Sequence, residues 1–157
     1  MAEGAGRVHR YQVHCAWFGT TVAGYDAYDR AHVVSAPPAE ATLELSSDRA
    51  FRGDPSRLNP EQLLVAAASS CQLLEFLAIA ARARIDVLEY RDDAEGVMDE
   101  ADEPARLQRI VLRPRVVVAA GSSEERVRQL LDLAHEHCYI ANTLRSEIVL
   151  EPRVELR

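Results

Sequence analysis

From residue 59 to about residue 84 the chain carries a run that is apolar nearly all the way round a helix. Asn59 suits the N-cap, Pro60 the first helical position, and Glu61 complements the positive helix end. A helix with no polar face has to be enclosed. The remaining elements must therefore wrap it, and it is expected at the centre of the core. Its most apolar part, residues 63–81, still contains Ser69, Ser70, Gln72 and Glu75. Those four mark a buried globular helix and not a membrane span.

The flanking sequence supplies the wrapping. Tyr11, Val13, Cys15 and Trp17 alternate with Arg10, Gln12, His14 and Ala16, which predicts a half-buried strand with Cys15 on the core side. Short strands are expected at about 31–35 and 41–45, split by Pro37-Pro38. Residues 46–58 are polar and irregular, with Gly53-Asp54-Pro55 as a turn signal. Further strands are expected over 85–94 and 107–120. In the second, Ile110, Leu112, Val116 and Val118 share a face, and Pro114 on that face indicates an edge or a bulge. Ser122-Ser123-Glu124-Glu125 is a capping box. It opens a helix whose stripe is Val127, Leu130, Leu131, Ala134 and Cys138. A last strand alternates through Ile148, Leu150, Val154 and Leu156. Runs of strands with one long and one amphipathic helix make an α+β domain. No linker divides residues 1–157, so a single domain is expected.

A net charge of −7 over 157 residues argues against a nucleic-acid binder and against a surface drawn to anionic lipid. The polar opening residues lack the apolar segment of a signal peptide, so a cytoplasmic protein is expected. Thiols there stay reduced unless they are catalytic or redox-sensing. Three cysteines cannot all pair within one chain.

Cys71 reads either as a small buried hydrophobe or as a thiol in use. Ser69, Ser70, Gln72 and Glu75 make its surroundings more polar than the rest of the helix, as a pocket lining would be. Cys138 falls near a helix C-terminus, where the dipole disfavours a thiolate. It is the poorer nucleophile and the more natural resolving partner. Cys15 reads as structural. His135 and His137 lie about 200° apart on a helix, so no metal site is expected there. Arg30 and Arg52 sit in loops able to reach a site, and each reads first as an ordinary surface arginine. Glu61 reads first as a helix-end charge. There is no Gly-rich phosphate loop and no nucleophile elbow.

Asn-Pro-Glu-x-Leu, an alanine-rich run and a cysteine ten positions after the glutamate closely resemble the OsmC/Ohr family of thiol-dependent peroxidases. Cys138 in a Cys-x-x-x-Asn-Thr-Leu context is similar to the family's other hallmark. The likeness spans residues 10–155 and looks like a less-studied branch. It implies an intertwined homodimer, with two curved antiparallel sheets around long central helices and two sites at the subunit interface. It also implies that Cys71 attacks an organic or fatty hydroperoxide and becomes a sulfenic acid, and that Cys138 resolves it as a Cys71–Cys138 disulfide. An external thiol, or a dihydrolipoyl group on a lipoylated protein, would reduce that disulfide, with no bound cofactor. An arginine would hold the thiolate and polarise the peroxide, oriented by Glu61. A guanidinium favours a thiolate and can grip a carboxylate with its planar fork.

Glu61 and Cys71 stand roughly 15 Å apart along a straight helix, so Glu61 acts through an arginine or on a partner's cysteine. Arg30 and Arg52 both suit the arginine's role, with Arg30 favoured by its place between two strands. Tyr139 stands where many members carry Pro. Two other readings keep the same fold: a non-catalytic dimer that binds a small ligand, and a redox sensor.

Overall fold

The computed structural model describes residues 6–157. The chain divides into two compact units, Met1–Pro60 and Glu61–Arg157.

The first unit holds a three-stranded antiparallel sheet in the order β1-β2-β3: β1 His14–Ala16, β2 His32–Ser35 and β3 Thr42–Leu45. Cys15 faces Val34, and Val34 faces Leu43. The expected second and third strands are present. The first is only three residues long, and all three are exposed. Tyr11, Val13 and Cys15 lie on the surface and not on a core side. A sheet this small has no second layer within its unit, so alternation alone cannot bury one face.

After β3, Asp48 caps a 3-10 turn at Arg49–Phe51 by accepting from the Ala50 N–H at 2.7 Å. Arg52 closes that turn in the left-handed region, with φ 65°. Gly53 follows where a Cβ would sit 1.6 Å from the Ser47 carbonyl oxygen, so only glycine passes.

The second unit is built on α1, Pro60–Arg82, which begins at the end of the first. It has the length and apolar composition of a membrane span, but its polar side chains tie it to a protein core. Gln72 donates to the Leu131 carbonyl at 3.0 Å and Ser69 donates to the Asp92 carboxylate. Of its residues, Ala68, Gln72, Phe76, Ile79 and Ala80 are buried, whereas Leu74 is 64% exposed and Leu77 38%. Among the described residues of the second unit, enclosure on all sides is therefore not met. One face packs inward and an apolar face stays open.

Two three-stranded sheets accompany it. One has the order β4-β7-β9, from Val87–Asp92, Pro114–Val118 and Arg153–Leu156. The other has the order β5-β6-β8, from Glu95–Met98, Leu107–Leu112 and Glu147–Leu150. The architecture is α+β. The sheets are mixed, since β6 pairs with β8 and β7 with β9 in parallel.

The strand expected over 107–120 is two strands in different sheets, broken at Arg113. Pro114 begins β7, a position where a missing N–H is tolerated. The last expected strand is broken at Glu151 and Pro152 in the same way. The alternation runs through both breaks, so periodicity could not reveal them. Strand β5 has no such alternation and was not anticipated.

Helix α2, Glu124–His137, starts where the capping box predicts: Ser123 accepts from the Arg126 N–H at 3.1 Å. Val127, Leu130, Leu131 and Ala134 are its buried stripe, and they pack with Phe76, Ile79, Val116 and Val118. A second cluster gathers Ala68, Ile110 and Leu112. A short helix, α3 at Tyr139–Thr143, follows α2 directly.

Candidate active site

Cys71 lies in the fourth turn of α1, one residue before buried Gln72. Cys138 closes α2 and opens α3, and only 1% of it is exposed. Two ordinary helix rules set its place. The apolar stripe of α2 carries it inward one turn after Ala134. The chain then restarts as α3, and the Cys138 sulfur accepts from the Ala141 N–H at 3.4 Å. Tyr139, at the first position of α3, occupies a site that proline would also suit.

The two thiols are neighbours. Cys71 is half-buried, both are free, and the Cys71 side chain is near enough to act on the Cys138 thiol. Burial, and then the Cys71 contact, push the Cys138 thiol up to about 11. Its backbone-donated hydrogen bonds act in the opposite sense and do not offset the burial.

Strand β4 adds two groups that periodicity did not single out. Tyr90 and Asp92 lie two apart and so share a strand face. The Tyr90 ring stacks on Phe76 at 5.9 Å between centroids, and its hydroxyl is buried with no hydrogen-bond partner. Burial raises its phenol above the ordinary range, and the charges of Asp92 and Cys138 add to that. The two Asp92 carboxylate oxygens accept separately, from the Ser69 hydroxyl and, at 2.6 Å, from the Arg113 N–H. A carboxylate on the inward face of a strand was the available signal for these residues.

The remaining predicted residues fall in different units. Glu61 lies in the first turn of α1 and is half-buried. Arg30 and Arg52 belong to the first unit. Arg30 is 9% exposed and wedged against two rings, 4.0 Å from the Tyr28 centroid and 4.8 Å from that of Tyr25. It donates to the Tyr25 carbonyl at 2.6 Å and the Tyr28 carbonyl at 2.9 Å. Carbonyls carry no full charge, so the guanidinium keeps its own. It lines a largely apolar cavity of about 390 Å³ that also includes Cys15, Trp17 and His32. Arg52 is 60% exposed and paired with Asp26 at 3.0 Å.

The OsmC-like protein family model matches residues 53–153. The chain belongs to the OsmC family. Among solved structures it is similar to an OsmC-like protein of unknown function from Vibrio cholerae. The two share 30% identity over 92% of this chain and 99% of the other, with a TM-score of 0.82. An organic hydroperoxide resistance protein OsmC from Legionella pneumophila shares the fold at 17% identity and a TM-score of 0.67, over 96% of this chain and 99% of its own. The chain is also 24% identical to the uncharacterized protein YmaD of Bacillus subtilis, over 71% of this chain and 78% of that protein. The OsmC match begins at Gly53, so Arg52 and Arg30 lie before it, while Glu61 and both thiols of the second unit lie within it.

Proposed function

We propose that this OsmC-family protein is a cytoplasmic thiol-dependent peroxidase that reduces organic or fatty hydroperoxides through Cys71 and Cys138. The observation that carries this reading is the pair of adjacent free thiols, one half-exposed and one sealed from water. In this reading Cys71, as a thiolate, attacks the terminal oxygen of the hydroperoxide. The O–O bond breaks, the alcohol leaves with a proton, and Cys71 becomes a sulfenic acid. The Cys138 sulfur then attacks the Cys71 sulfur, water leaves, and a disulfide forms. An external thiol or a dihydrolipoyl group restores both thiols. Division of labour follows from burial. A thiol held as neutral as Cys138 is a slow first nucleophile, but it suffices against a sulfenic acid held beside it.

The open apolar face of α1 supports a homodimer, because Leu74 and Leu77 gain cover only from another surface. In such a dimer the arginine and Glu61 complete the site at the interface. Of the two arginines Arg30 is favoured, because its buried guanidinium is held by carbonyls and by no carboxylate among the described residues, whereas that of Arg52 is matched by Asp26. Arg30→Ala is expected to slow peroxide reduction by about tenfold to a hundredfold, and Arg52→Ala by less. The reverse order in stopped-flow rates would give the role to Arg52.

Free-thiol titration with intact mass, before and after one equivalent of organic hydroperoxide, tests the whole reading. Rapid loss of two thiols is expected, with a mass decrease of about 2 Da mapped to Cys71 and Cys138. Slow loss, or loss at Cys15, would overturn it in favour of a ligand-binding role.

A further inference from the structure

Three times the chain crosses between the two sheets of the second unit. It passes from β4 to β5 at residues 93–94, from β6 to β7 at Arg113, and from β8 to β9 at Glu151 and Pro152. Strand pairing brings the three crossings side by side. Where the strands part they leave a cavity of about 530 Å³, lined by Asp93, Arg113 and Glu151 from the crossings themselves. Arg115 of β7, Arg128 of α2 and Arg153 of β9 line it too. Four guanidiniums against two carboxylates leave two positive charges in excess, in a chain whose net charge is −7.

Carboxylates outside the lining hold three of these arginines. Glu95 fixes Arg113 at 3.0 Å, Glu155 grips Arg115 with both oxygens at 2.7 and 2.8 Å, and Glu124 takes Arg128 at 2.7 Å. Arg128 also donates to the Pro152 carbonyl at 2.9 Å. Such anchoring orients a guanidinium without exhausting it. Each of the three commits three donated bonds out of five N–H groups. Arg153 is different, for its side chain has no partner among the described residues. It stands directly opposite Arg115 in the β7–β9 pair, and Arg115 stands opposite Arg91 in the β4–β7 pair. Like charges directly opposite on a sheet face are destabilising. A sheet built for stability alone would hold a carboxylate at position 153.

We propose that this cavity binds a small phosphate ester, whose phosphate is held by Arg153 together with the anchored Arg113, Arg115 and Arg128. A phosphate monoester carries nearly two negative charges at neutral pH, which matches the excess. Its oxygens accept from several directions, and the planar fork of arginine fits them in pairs. The volume lies in the range of small-molecule sites, so the organic part has room beside the phosphate. Neither Cys71 nor Cys138 lines the cavity. The inference therefore stands whether or not the protein reduces hydroperoxides.

Phenyl phosphate is the probe, titrated calorimetrically into the full chain at an ionic strength held constant with sodium chloride. Saturable binding is expected, and the Arg153 Nε resonance should move with it. Arg153→Ala is expected to weaken binding by roughly tenfold to a hundredfold. Without ligand its melting temperature should hold or rise, because a like-charged neighbour of Arg115 is gone. Arg153→Lys, which keeps the charge and loses the fork, should fall between. Arg91→Ala removes an arginine of the same row that does not line the cavity, and should leave the affinity unchanged.

No saturable binding of phenyl phosphate or of inorganic phosphate would overturn the site. So would an unchanged affinity in Arg153→Ala, or an equal loss in Arg91→Ala, which would show a diffuse attraction to the charge of the sheet. Succinate is a dianion without phosphate's clustered oxygens, and its binding as tightly as phenyl phosphate would overturn the assignment to phosphate. If Arg153→Ala does not fold, the unaltered protein decides: an Arg153 Nε resonance unmoved at saturation would remove Arg153 from the site.

Discussion

Cys71→Ser is expected to abolish hydroperoxide consumption, a loss on the order of a thousandfold or more, because a serine hydroxyl at neutral pH is no substitute for a thiolate. Cys138→Ser is expected to behave differently. It should consume about one equivalent per chain in a burst and then stall with Cys71 as a sulfenic acid, trapped by a dimedone-type reagent. The contrast follows from the environments of the two sulfurs. Cys138 is 1% exposed with its thiol pushed up to about 11, so it meets the sulfenic acid and not the peroxide. Equal damage from Cys15→Ser, the exposed thiol of the first unit, would overturn the assignment. A complete cycle in Cys138→Ser with a monothiol reductant would show that resolution does not need the second cysteine.

Phe76→Ala is expected to cost about 3–5 kcal/mol of stability. Phe76 is fully buried on α1 and packs with Val116 and Val118 of β7 and with Leu131 and Ala134 of α2. It also carries the Tyr90 ring. Truncation leaves a cavity where helix and sheet meet, and neither can collapse into it without moving the other. Denaturant unfolding at fixed protein concentration checks this, since a dimer's midpoint depends on concentration. Leu74→Ala is the comparison. Leu74 is 64% exposed, so in a monomer the change should cost less than about 0.5 kcal/mol. A cost near that of Phe76→Ala would instead show that a second copy covers this face.

Some of this molecule is written in its local sequence. The capping box fixed the start of α2, because Ser123 needs only the next few N–H groups to act. The apolar stripe of α2 identified Val127, Leu130, Leu131 and Ala134 as core, because helical periodicity is a property of the helix itself. Asn-Pro-Glu ahead of an apolar run located the beginning of α1. The two cysteines stood out by motif alone.

Other features depended on what each segment meets. The 107–120 run keeps its alternation through Arg113, yet it divides between two sheets, because pairing partners decide where a strand ends and no local signal encodes them. Parallel pairing of β8 and β9 is equally a matter of long-range contact. Tyr90 and Asp92 looked like ordinary strand residues until Phe76 and Ser69 were found across from them. Cys138 shows the division in one residue. Its identity, its stripe and its helix end were legible in the sequence. Its nearness to Cys71, and the burial that keeps it neutral, arise only where α1 and α2 pack together, because a thiol's acidity is set by the solvent and charges around it and not by its neighbours in the chain.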